Sequence, residues 1–142
     1  MTDPWGATRV ELERRLRSLL TGQALVLSEP DSEASASPRG FFARRGRRPV
    51  PVRYVQFLRL EDALVVECVS DAYWPSMATE QKAELVAAGW HEPNTLREYP
   101  TENLVRSFDL EAAPDAAVAA VRALITLGCD PGSRWTWAEI VD

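Results

Sequence analysis

The sequence predicts a single α+β domain, with helices packed on an antiparallel sheet, and three observations carry that expectation. Two β-rich runs, "RYVQFLRL" and "ALVVECV", flank Glu61-Asp62, a gap so short that an antiparallel hairpin is the simplest joining. Helical patterns stand on either side of them, one over residues 8–20 and another opening at Pro114, and no internal repeat is visible. At 142 residues the chain suits one domain over 1–142, and a chain of this size buries roughly two-thirds of the surface its unfolded form exposes, so neither metal nor disulfide is needed to hold it.

In "TRVELERRLRSLL", residues 8–20, Leu12, Leu16 and Leu19 recur at i, i+4 and i+7 and make one apolar helical stripe. Thr8 and Glu11 have capping-box spacing, and Asp3-Pro4 offers an earlier start. Gly22 stands where a C′ glycine would end the helix, and "ALVLS" after it reads as the first strand. Residues 30–40, "PDSEASASPRG", hold too few apolar side chains to offset the entropy of ordering them and are expected as a flexible loop. Phe41 and Phe42 are candidates to open a further strand, with Gly46 near a turn.

Along the hairpin Val55 and Phe57 share one face, while Tyr54, Gln56, Leu58 and Leu60 share the other. A sheet apolar on both sides must be covered twice, once by helices and once by a partner subunit or a bound segment. Ser76 or Thr79 is expected to cap a helix running to about Ala88, and Gly89 with Trp90 behind it fits a helix stop. "NLVRSFDL", residues 103–110, returns to a strand pattern with Leu104, Phe108 and Leu110 on one face. In the last helix Val118, Val121 and Ile125 recur at i, i+3 and i+7, and Gly128 ends it. The tail over about 129–142 carries Trp135 and Trp137, which suit either docking on the chain's own core or anchoring a partner.

Reactive chemistry is sparse. His91 is the chain's only histidine, no nucleophile or orienting partner is patterned beside it, and it is expected to be structural or solvated. One histidine and two scattered cysteines make no zinc set, and no phosphate-cradle, dinucleotide, nucleophile-elbow or zinc-protease motif occurs. The expectation is a non-enzymatic protein with no catalytic residue, no metal and no cofactor. Cys68 in an apolar run and Cys129 in a Gly-Cys-Asp-Pro-Gly turn are expected as free thiols.

Charge supplies one strong local feature. Arg39, Arg44, Arg45, Arg47, Arg48 and Arg53 fall within residues 39–53 without a single acid, a basic patch that phosphate backbones or acidic protein segments would feel. A solvated, edge-protecting segment is the plainer reading. The net charge of -5 and pI near 5.0 argue against a dominant nucleic-acid role. No apolar run approaches the ~18 residues of a membrane span, and the N-terminus lacks the apolar core of a secretory signal, so a soluble cytoplasmic protein without membrane contact is expected.

"RYVQFLRLEDALVVECVSDAYWP", the helix closing in "LVAAGWHEP", then "NLVRSFDL" and "DAAVAAVRALITLG" form one pattern over roughly residues 8–128. Together they resemble the TY-Chap domains of bacteria, which are type III secretion chaperone-like and YbjN-related. The most telling parts are the strand Tyr54 to Phe57 and the Gly89-Trp90 step. The resemblance implies a twisted antiparallel sheet with helices against it, a homodimer, and a partner polypeptide held in extended form. It points to a chaperone-like binding module engaging a client through exposed sheet surface. Tyr54, Leu58, Leu60, Trp135 and Trp137 are then the partner-binding candidates, and Phe57, Gly89 and Trp90 are structural. The alternative is a regulatory binder of nucleic acid or acidic protein through residues 39–53. Three departures accompany the likeness: Leu104 stands where similar sequences often carry tryptophan, the arginine-rich segment looks inserted, and the tail after Gly128 lacks the usual ending.

Overall fold

In the computed structural model, which describes residues 3–30 and 52–141, α1 (Gly6–Ser18) leads into β1 (Ala24–Ser28). The hairpin strands β2 (Tyr54–Arg59) and β3 (Leu64–Cys68) come next, followed by α2 (Thr79–Ala87) and β4 (Leu104–Phe108). A 3-10 turn at Leu110–Ala112 precedes α3 (Ala113–Thr126), and β5 (Thr136–Ile140) closes the order. All five strands form one antiparallel sheet in the order β4-β3-β2-β1-β5, so the α+β expectation holds. The expected strand at Phe41-Phe42, nearly all of the loop over 30–40, and Arg39, Arg44, Arg45, Arg47 and Arg48 lie outside the described residues.

Helix α1 begins earlier than the capping-box spacing at Thr8 suggests. Asp3 receives the Trp5 amide on its carboxylate and the Gly6 amide on its carbonyl, each at 3.0 Å, and so satisfies donors that a helix start leaves orphaned. Glu11 instead pairs with Arg14 and Arg15. The helix also ends earlier, because Leu19 turns to extended backbone and buries itself in the core. Gly22 is therefore not its C′ residue; at φ +90 it makes the turn into β1, donating its amide to the Arg59 carbonyl at 2.7 Å.

Neither Ser76 nor Thr79 caps α2. Its N-cap is Ala78, whose amide is accepted by the Gln81 side chain at 2.7 Å, half of a capping box supplied from inside the helix. Both remaining glycine stops follow the Schellman pattern. Trp90 donates to the Leu85 carbonyl and Gly89 to that of Val86, and Cys129 and Gly128 do the same to Leu124 and Ile125. The φ values of +111 at Gly89 and +83 at Gly128 favour the residue that lacks Cβ.

The face of α3 differs from the expected one. Val121 is buried, but Val118 and Ile125 are 38% and 50% exposed, and the core side is made of Ala113, Ala116, Ala117, Ala120, Ala123 and Leu124. Small side chains let this helix lie close to both the sheet and α1, so alanines sit where bulkier residues would not fit.

Candidate functional site

Register divides the sheet into two faces. Leu25, Leu27, Val55, Phe57, Leu64, Val66, Cys68 and Leu104 are buried with residues of all three helices in one core. Phe57 is 1% exposed within it, and burying such a side chain is worth roughly 1.5–3 kcal/mol. Val26, Val65 and Val105 point the other way and stand outside that core.

The second face reads in cross-strand rows. Ile140, Ala24, Leu58, Val65 and Ser107 form one; Ala138, Val26, Gln56, Glu67 and Val105 form the next. Within the first row Ile140, Ala24 and Leu58 are half-exposed, with Leu60 half-exposed just beyond it, giving an apolar strip on the side away from the helices. Leu58 and Leu60 are thus placed together. Ile140 lies outside the sequence expectation for the tail, which names only Trp135 and Trp137; the alternation Thr136-Trp137-Ala138-Glu139-Ile140 is the signal that points to a strand there.

Tyr54 shares this face but has its hydroxyl engaged. Glu67, 6% exposed on β3, accepts hydrogen bonds from Tyr99 Oη at 2.9 Å, Thr101 Oγ1 at 2.8 Å and Asn103 Nδ2 at 2.9 Å. Asn103 Nδ2 also donates to Tyr54 Oη at 3.1 Å, while its Oδ1 accepts the Ser70 amide. Burial pushes the Tyr54 phenol up to about 12 and raises that of Tyr99 as well. The chain's own segment 92–103 therefore straps one end of the second face to a buried carboxylate, a cover that the strand pattern alone did not reveal.

The two tail tryptophans are seated on the chain itself. Trp135 packs on Trp5 with ring centroids 5.7 Å apart, and Trp137 lies under the Arg15 guanidinium at 4.4 Å. Arg53 is equally engaged: its Nε and Nη2 pair with Glu29 at 2.9 Å, Nη1 donates to the Leu127 carbonyl, and the guanidinium lies 5.2 Å from the Trp74 ring centre. It forms a partly buried ion pair with Glu29.

Trp90 is 3% exposed and belongs to the core. His91 has an exposed side chain, and its backbone makes a two-way bridge with Val105, closing the outer side of β4 at that point. Beside it, a groove of about 450 Å³ is lined by Leu85, Trp90, Arg106, Phe108, Val118 and Arg122. Arg106 stacks over Phe108 at 4.8 Å. Cys68 and Cys129 are buried free thiols, and burial raises both, Cys129 to about 12, so neither is a thiolate nucleophile at neutral pH. Among the described residues no cluster of His, Cys, Asp and Glu could hold a metal ion, and no helix is long and apolar enough to cross a membrane.

No curated protein and no solved structure matches the chain. A family model does match it, over residues 1–129: TY-Chap3, described as T3SS (YopN, CesT) and YbjN peptide-binding chaperone 3. With nearly the whole chain covered, and an antiparallel sheet carrying its helices on one face, the protein belongs to the TY-Chap3 family of peptide-binding chaperones.

Proposed function

We propose that the protein is a non-enzymatic, chaperone-like binder of an extended client polypeptide, which lies on the sheet face turned away from the helices. The observation that carries this reading is the half-exposed apolar row Ile140, Ala24 and Leu58, with Leu60 beside it, on a face that α1, α2 and α3 do not cover and that continues into the buried Val65. Apolar side chains on a sheet surface give a client area to bury, and main-chain pairing at a sheet edge adds affinity with little demand on sequence. Tyr54 contributes its ring edge beside the strap, its hydroxyl being engaged with Asn103. The bacterial cytoplasm is the compartment this reading assigns, and no catalytic step is part of it.

Leu58→Asp tests it. Client capture from the native cell, followed by titration with a synthetic peptide from the captured client, should weaken at least tenfold while circular dichroism stays native, because a charge on an exposed apolar face opposes association without opening the core. An unchanged affinity, or an unfolded variant, would sink the assignment of this face. Sedimentation of the same variant separates client binding from a homodimer built over the same row. The arginine-segment alternative is distinguished by salt, since binding to phosphate backbones weakens steeply as salt rises.

A further inference from the structure

Resting on the reading of the chain as an extended-peptide binder, we propose that the outer edge of β1 is the strand-acceptor site. Its ligand is a client segment with an aromatic residue two positions before an acidic one, and β5 is that segment's resident competitor. Strand β5 lies beyond residue 129, where the match to the peptide-binding family stops, yet it fills the whole length of the β1 edge from Ala24 to Ser28. Without it, β1 would present a row of unpaired amides and carbonyls, the groups that an incoming extended peptide satisfies.

The side-chain code is set by α1. Trp137 stands opposite Leu27 and Glu139 opposite Leu25, both on the helix side of the sheet. Arg15 addresses the two together: its guanidinium lies 4.4 Å from the Trp137 ring centre and its Nη1 is 3.9 Å from Glu139 Oε2. Glu11 fixes Arg15 from its own helix at 2.7 Å, so the guanidinium is held in place whichever strand occupies the edge. The opposite set of positions, Thr136, Ala138 and Ile140, meets only Ser28, Val26 and Ala24 across the register, which asks for small or apolar residues.

The seat of β5 is incomplete. None of its five residues is buried, whereas four of the five in β1 are. The Trp135 indole N–H is buried without a hydrogen-bond partner among the described residues, a defect that a better-fitting occupant would remove. The strand is joined to α3 through the turn at Asp130, where Gly132 and Ser133 donate back to its side chain and carbonyl, so it can leave the edge while the helix stop at Gly128 stays formed.

The test uses the full chain and a fluorescein-labelled synthetic peptide, SRWTWAEIV, which copies residues 133–141. A tethered strand acts at an effective concentration of the order of millimolar, so the free peptide should bind the wild-type chain weakly. Trp137→Ala loosens the resident strand and should bind the peptide at least tenfold more tightly. Glu139→Arg, a surface change that keeps the tryptophan, should do the same and covers the case in which Trp137→Ala fails to fold. Adding Arg15→Ala to either should abolish the gain. The readout here is peptide affinity in the β5 variants, whereas the sheet-face reading is tested by client capture in Leu58→Asp, so the failure of one is distinguishable from the failure of the other. Failure of the peptide to bind any variant, with β5 amides as protected from hydrogen exchange as those of β2, would overturn the proposal. So would concentration-dependent dimers in the loosened variants, which would assign the edge to a second copy of the chain.

Discussion

The Arg106 guanidinium lies across Gly89: a Cβ added at Gly89 would meet Arg106 Cζ at 3.3 Å, and Arg106 Nη1 donates to the Ala88 carbonyl at 3.2 Å. A cation from β4 thus satisfies a carbonyl at the C-terminal end of α2. Gly89→Ala is expected to destabilise the fold by roughly 1–3 kcal/mol, the usual cost of a side chain at such a φ. The far end of an arginine can give way, so backbone strain should dominate over contact. Urea unfolding in wild-type and Arg106→Ala backgrounds checks this, with the same cost expected in both; a cost that disappears without Arg106 would assign it to the contact.

On α3 the exposed and buried positions can be told apart by substitution. Ile125→Glu, at a half-exposed site, should change stability by no more than about 0.5 kcal/mol. Ala120→Val, at a position with no exposure, should cost about 1–3 kcal/mol by overpacking the close approach of the helix to its neighbours. Thermal unfolding of the two variants decides, and the reverse order would restore the valine-isoleucine stripe as the core face.

That stripe shows where sequence patterning succeeds and fails in this chain. The hairpin was legible because two β-rich runs flank a two-residue gap, and the period of two along β2 puts Phe57 and Leu58 on opposite faces. The Gly89-Trp90 stop was legible because its chemistry is local. Helix α3 was not, since a helix with apolar residues on most sides offers several overlapping stripes, and packing distance chooses the alanines. The apolar row was half legible. Leu58 and Leu60 follow from alternation, but Ile140 joins them only because β5 crosses the sequence to pair with β1, a contact no local pattern encodes. The strap onto Glu67 was hidden for a related reason: Tyr99, Thr101 and Asn103 read as loop polarity until tertiary structure places one buried acceptor under all three.

Alkaline pH should destabilise the protein through its phenols. Burial pushes Tyr54 up to about 12 from an ordinary value of 10.0, so between these values the folded state keeps a proton that the unfolded state has released. This contribution is fully present below about pH 10 and is lost as pH rises through the folded value, a total of about 2–3 kcal/mol for a shift of this size. Tyr54→Phe should cost about 1 kcal/mol at neutral pH, for the lost Asn103 bond, yet lose less stability than wild type between about pH 10 and 11.5. Urea midpoints across that interval supply the measurement; parallel curves would mean that the Tyr54 phenol is not shielded.

The strap should depend on the Glu67 carboxylate more than the sheet does. Glu67→Ala removes the acceptor for Tyr99, Thr101 and Asn103 at once. Tyr99 and Thr101 are half-exposed and can turn their hydroxyls to water, but Asn103 is 4% exposed and its amide would be left buried with only Tyr54 Oη to receive it. The expected cost is therefore that of about one unsatisfied donor, roughly 1–3 kcal/mol, and not three times that. Glu67→Gln can keep a carbonyl oxygen for Asn103 and Thr101, which share one oxygen of the carboxylate, and should cost less, although its amide then faces Tyr99, whose hydroxyl must reverse and accept. Hydrogen exchange separates local from global loss. In Glu67→Ala the amide of Asn94, which donates to Thr101, should exchange far faster, while amides of Leu25 and Phe57 in the central strands keep most of their protection. Uniform acceleration across the sheet would show instead that the carboxylate supports the whole second face, and that segment 92–103 cannot open independently of it.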